Sequence, residues 1–157
     1  MADSTNTKDS VRAGRRLGRV IMSIAAIIAL VVWASKVVNL TIVGYTGLPR
    51  MSGEWRPFFS MWRIVTDSDE WLYQLGGNVA LFLPLGLLLP IAWRSVFRRL
   101  IPTLLTGLLL SSVIEVAQTT VISGRVATTD DVVLNVLGTS LGWLLWHISR
   151  ARGRPPG

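Results

Sequence analysis

The chain has no cysteine, one histidine and only nine acidic residues among 157. Without cysteine there is no disulfide, no thiol nucleophile and no thiolate metal site. His147 alone leaves no room for a histidine-based metal cluster. The sequence therefore implies neither a cofactor nor a resident metal. What it has instead is apolar surface. Half of its residues are hydrophobic (50%), and the mean hydropathy is +0.48. That is too apolar for an ordinary soluble domain. A net charge of +7 would point to nucleic acid in a soluble protein. Here the positive residues flank apolar runs, which is the pattern of membrane topology. The expected partner is the lipid bilayer, with no nucleic acid.

Four apolar runs approach the length of about twenty residues that a spanning helix needs. They cover residues 20–38, 75–93, 101–121 and 132–148. The expected fold is an all-α, polytopic membrane protein, a bundle of four transmembrane helices. Pro84 and Pro90 should kink the second span or relax its hydrogen bonding. Pro102 lies near the start of the third span, where proline is tolerated. Arg12, Arg15, Arg16 and Arg19 resemble the basic start of a signal peptide. The apolar run after them is long, so an uncleaved anchor is expected. Residues 1–19 read as a basic tail and 149–157 as a second one, both polar enough at their ends to suggest disorder.

Charge sets the expected orientation. With the N-terminus inside, eleven of the sixteen Lys and Arg residues fall on the cytoplasmic side. Arg94, Arg98 and Arg99 lie between the second and third spans, and Arg150, Arg152 and Arg154 follow the fourth. Both termini are therefore expected in the cytoplasm of a multi-pass plasma-membrane protein. Residues 39–74 then form an extracytoplasmic connection. Trp55, Phe58, Phe59, Trp62 and Trp71 among its charges suggest a segment in the membrane interface or packed over the helix ends.

Glu115 is the costly residue. A carboxylate inside a span costs on the order of 2.5–3.5 kcal/mol on insertion scales, so it needs a reason. It sits six residues from the outer end of its span, about 9 Å at the helical rise. Gln118 is nearer that end. Asp130 and Asp131 stand at the outer mouth of the fourth span, with Asn135 one turn deeper. Asn78 lies about one turn into the second span, and Arg125 is in the short outer connection. Ser111, Ser112, Glu115 and Gln118 share one helical face. Asp131, Asn135, Gly138 and Gly142 share another, and the two glycines allow a neighbouring backbone to come close. The inner half of the bilayer holds almost nothing comparable.

Simpler readings stand beside these. Asn78, Gln118 and Asn135 can be interhelical hydrogen-bond glue. Asp130 can cap the fourth helix and complement its dipole. Arg125 can be a solvated loop charge or an ion-pair partner for Glu115 or Asp131. Ser111 and Ser112 are expected to bond back to their own helix. His147 is expected at the cytoplasmic interface.

These residues, in this order, resemble the VanZ-like family of small membrane proteins. The resemblance begins at Pro57-Phe58 and continues through Asn78-x-x-x-Phe82-x-Pro84-x-Gly86. It goes on with Ser111-x-x-Ile114-Glu115-x-x-Gln118, and then Gly124-Arg125 before Asp130-Asp131-x-x-x-Asn135-x-x-Gly138. One position departs from the family pattern: Thr128 stands where members often carry an acidic residue. The naming member is associated with resistance to the glycopeptide teicoplanin. The resemblance thus implies a role in the bacterial cell envelope and in antibiotic resistance, without specifying a reaction.

Four functional classes remain open at this point. A binding or modifying protein would hold a lipid headgroup, a lipid-linked cell-wall precursor or a glycopeptide through Asn78, Gln118, Arg125, Asp130 and Asn135, with Arg125 meeting an anionic group. An intramembrane enzyme would use Glu115 and Asp131 as acid and base, because their unlike environments divide those roles. Its carboxylates Glu115, Asp130 and Asp131 could also collect a divalent cation. A structural protein would use the polar cluster only to lock helices. A proton-coupled transporter is disfavoured by an outer-only cluster and the lack of repeated halves.

Overall fold

The computed structural model describes residues 3–41, 71–121 and 129–152, with side chains from residue 10 in the first segment and from residue 76 in the second. Every regular element among them is helical: α1 (Asp3–Thr41), α2 (Trp71–Ala92), the short α3 (Arg94–Phe97), α4 (Leu100–Val121) and α5 (Thr129–Arg152). By length and composition, the stretch Ser10–Thr41 and helices α4 and α5 can each cross a membrane, while Gly76–Ala92 is a shorter apolar helix. The four expected spans thus appear as three long helices and one shorter one among the described residues. The interfacial reading of Trp55, Phe58, Phe59 and Trp62 lies outside those residues. Trp71 opens α2 instead of lying in a connection.

The first helix is longer than its apolar run. It begins at Asp3, so the expected disordered start is helical. Once an apolar span has nucleated a helix, adding each further residue is cheap. The residues upstream include Arg and Ala and no proline, so nothing stops the propagation.

α1 runs antiparallel to α2 and packs on it through an apolar seam. Ala26, Leu30, Phe82, Leu85, Leu89 and Ala92 form this core. Phe82, with no exposed surface, meets the Trp33 ring edge-on at 5.7 Å. Helical spacing puts Ala26, Leu30 and Val37 on one stripe of α1, and the rest of that helix is largely exposed.

α2 keeps a continuous course through Pro84 and Pro90 to Ala92, so neither proline ends it. A proline inside a helix removes one donor from the backbone ladder. α1 supplies donors near these places. Trp33 Nε1 donates to the Leu81 carbonyl at 2.6 Å, in the turn before Pro84. Ser23 Oγ donates to the Ile91 carbonyl at 3.2 Å, in the last turn, where helical carbonyls lack intrahelical partners. Trp93 then leaves the helical region (φ −130°, ψ 72°) and starts the reversal through α3 into α4.

α2 also packs on α5, and this contact is built on glycine. A Cβ on Gly138 would overlap the Val79 carbonyl, and one on Gly142 would overlap the Leu83 carbonyl. Gly86 returns the contact, since its Cβ would strike the Thr139 carbonyl. The expected close approach at Gly138 and Gly142 is therefore made by α2. α4 covers the other side of α5, where Gly107 leaves room for the Thr139 side chain.

Large apolar side chains point outward. Ile101, Leu105, Leu109, Val113 and Val116 of α4 are exposed, whereas Thr103, Gly107, Ser111, Glu115 and Gln118 are its buried residues. That inverts a soluble bundle, whose apolar stripe faces the core. It suits a hydrocarbon solvent, in which small and polar residues mediate helix contacts.

Replacing Gly142 by Ala should destabilise the bundle by about 1–3 kcal/mol, because the added methyl meets fixed backbone of α2 at Leu83, Gly86 and Leu87. Gly18→Ala, where nothing lies within 4 Å, should be neutral or slightly stabilising. Thermal melting of the two variants in detergent checks the contrast.

Candidate functional site

Helix direction gathers four helix ends at one end of the bundle. The C-terminus of α1, the N-terminus of α2, the C-terminus of α4 and the N-terminus of α5 meet there. Three amides stitch them together. Asn78 Nδ2 donates to Asp131 Oδ1 at 2.5 Å, joining α2 to α5. Gln118 Nε2 donates to the Thr41 carbonyl at 3.0 Å, joining α4 to the last turn of α1. Asn135 Nδ2 donates to Ser111 Oγ at 2.8 Å, joining α5 to α4. Each amide therefore makes the interhelical bond that the glue reading expects. Ser111 serves as an interhelical acceptor, where back-bonding to its own helix was expected.

Glu115 keeps only 6% of its surface exposed, on the same buried face as Ser111 and Gln118. It lies one turn from Ser111 toward the clustered end. Asp130 is buried to 5% exposure, while Asp131 is half-buried. All three carboxylates engage partners. Asp130 and Asp131 occupy the first turn of α5, where negative charge complements the helix dipole, and Arg150 and Arg152 occupy its last turn. No group of three His, Cys, Asp or Glu side chains suited to a metal ion occurs among the described residues. Glu115, Asp130 and Asp131 are all described, so the cation site considered from sequence is not assembled. Arg125, Gly124 and Thr128 lie outside the described residues.

The acceptors and donors of this cluster do not balance. Asn135 is 6% exposed, and its Oδ1 is buried without a hydrogen-bond partner. An unpaired buried acceptor costs about 1–3 kcal/mol. Most buried polar atoms in folded proteins are paired, so an exception calls for a reason.

Polarity also reaches further down the bundle than the sequence suggests. Thr103 and Thr139 are fully buried. Both are satisfied locally: Thr103 Oγ1 donates to the Arg99 carbonyl at 3.1 Å, and Thr139 Oγ1 to the Asn135 carbonyl at 2.9 Å. The four-residue spacing Thr103, Gly107, Ser111, Glu115 carries the signal that would have revealed this seam.

The opposite end is basic and aromatic. Arg94, Arg98, Arg99 and Arg152 are exposed there, and the Arg150 guanidinium lies 5.5 Å from the Trp146 ring centre. His147 is exposed and stacks on Trp143, with ring centres 4.9 Å apart. Described acidic side chains within the bundle are thus confined to one end. Described basic ones lie toward the other, apart from Lys36 near the end of α1.

The link between Asn78 and Asp131 should be worth about 1 kcal/mol of coupling, toward the upper part of the range for polar pairs between membrane helices. A double-mutant cycle of Asn78→Ala and Asp131→Ala, read by unfolding in mixed micelles, measures it. Additive effects would remove the bond from the account of stability.

No curated protein and no solved structure matches the chain. The sequence model of the VanZ/LLP1 family matches residues 20–150, which include α2 to α4 entirely and nearly all of α5. The expected resemblance is thereby established over most of the chain: this is a membrane protein of the VanZ-like family.

Proposed function

We propose that the polar end of the bundle is an outward-opening site for an amphiphilic component of the bacterial cell envelope. The observation that carries this reading is that three carboxylates and three amides from three helices share one end of the bundle, with Glu115 buried there. A cluster needed only to hold helices together would not require a carboxylate, whose burial is costly. Ligands that suit it are a lipid headgroup, a lipid-linked cell-wall precursor or a glycopeptide. Asn78, Gln118, Asp130 and Asn135 supply directional hydrogen bonds. Arg125, in the short connection between α4 and α5, supplies a guanidinium for an anionic group. Through such binding or modification the protein contributes to teicoplanin-type resistance, in line with the family's naming member.

The orientation belongs to the same proposal. The basic end faces the cytoplasm of the plasma membrane, both termini are inside, and the carboxylate end faces out. The charge separation along the bundle supports it. Because the chain lacks cysteine, single introduced cysteines report sidedness directly. Arg98→Cys should react with a membrane-impermeant maleimide only after cell lysis, and Ser52→Cys in intact spheroplasts. The reverse labelling would overturn the orientation.

A second reading is favoured by one specific contrast. Glu115 is buried, whereas Asp131 is more open and bonded to Asn78. Two carboxyls in unlike surroundings divide general acid and base roles. Turnover of a lipid-linked substrate by the purified protein would favour this enzyme reading over binding alone.

Glu115→Gln and Asp131→Asn should each abolish protection against glycopeptides while the protein still inserts at normal abundance. Growth inhibition and membrane immunoblots, scored together, check this. Full protection in both variants would leave the cluster a purely structural device.

A further inference from the structure

Asn135 carries a buried acceptor that no described group answers. Asn135 reaches across from α5 to α4 and spends its Nδ2 on Ser111 Oγ at 2.8 Å. Its Oδ1 remains, buried and without a partner. The residue itself is more than nine-tenths buried. It stands one turn, about 6 Å, deeper along α5 than Asp131, which is bonded at the mouth to Asn78. The atoms around the cluster do not answer it. The three amide nitrogens have their bonds to Asp131, Thr41 and Ser111, and the hydroxyl below, Thr139 Oγ1, donates to a backbone carbonyl. In a hydrocarbon surrounding, such an acceptor has no bulk water to turn to.

Given a ligand at this cluster, as proposed above, we infer that Asn135 Oδ1 is its deep anchor and accepts a hydrogen bond from an N–H or O–H group on the ligand's head. The ligand class is then narrower than any amphiphile. It is a head group that carries hydrogen-bond donors, either a primary ammonium or hydroxyls. A quaternary choline head has no such donor and is disfavoured. A water molecule held at Oδ1 would satisfy the same atom and would favour no head group over another.

The test uses full-length protein reconstituted in phosphatidylcholine vesicles. Acyl-chain spin-labelled lipids report selective association: phosphatidylethanolamine, its N-methyl and N,N-dimethyl forms, phosphatidylcholine and phosphatidylglycerol. Affinity should hold through the N-methyl and N,N-dimethyl forms, which each keep an N–H, and drop at phosphatidylcholine. The ends of the series should differ by about tenfold, the scale of one hydrogen bond from a charged donor. Strong association of phosphatidylglycerol would assign the donor to hydroxyls, and weak association would assign it to the ammonium. Asn135→Leu should flatten the series to within about twofold. Asn135→Asp keeps acceptor oxygens and no donor, and should retain the preference, which guards against a variant that fails to fold.

Equal affinities across the series in the wild-type protein would overturn the inference, as would a preference that survives Asn135→Leu. A flat series together with loss of glycopeptide protection in Glu115→Gln would leave the ligand site standing without its donor rule. A flat series with protection intact in Glu115→Gln would remove both.

Discussion

Contact between the backbones of α2 and α5 organises the rest of the molecule. Gly86, Gly138 and Gly142 leave no side chain between the two helices, so carbonyls and peptide planes lie where a Cβ would stand. In a membrane such contact matters more than in water, because lipid tails are as apolar as leucine and burying leucine gains little. Close approach restores dispersion contacts that voids would forfeit. It also sets register. With α2 and α5 locked at Gly138 and Gly142, Asn78 comes level with Asp131 and bonds it. Two helices without that approach would hold these side chains too far apart.

The two flanking helices attach by different physics. α1 docks on α2 through a leucine, phenylalanine and tryptophan seam, and its Trp33 and Ser23 offer donors to carbonyls of the proline-bearing helix. α4 docks on α5 through small and polar groups, with Ser111 paired to Asn135 and Gly107 against Thr139. Polarity concentrates on the α4 side, and its Asn135 acceptor is the one buried side-chain oxygen or nitrogen without a partner among the described residues.

Much of this was legible from residue order. Helical periods put Ser111, Glu115 and Gln118 on one face and Asn135, Gly138 and Gly142 on another, and both faces are buried. The need to satisfy backbone groups inside a bilayer makes these apolar runs helical with little dependence on tertiary context. Legibility stopped where short polar side chains have a choice. Ser111 was expected to bond its own helix, and nothing in a single helix says that an asparagine across the bundle will use it instead. Thr103 and Thr139 escaped notice because a lone threonine in an apolar run carries no cost that demands an explanation. The helical course of residues 3–19 was likewise hidden, since polar composition suggests disorder while adjacency to a nucleated span favours helix.

What the sequence determined by itself is the set of helices, their faces, and the separation of acidic from basic ends. These follow from local hydrogen bonding and from solvent preference, which each segment expresses alone. Only the tertiary structure decided the pairings: Asn78 with Asp131, Gln118 with the end of α1, and Asn135 with Ser111. It also decided which polar atom was left over. Pairing is a property of two surfaces at a given distance and register, and that distance was set by glycines whose importance shows only when a second backbone is laid against them.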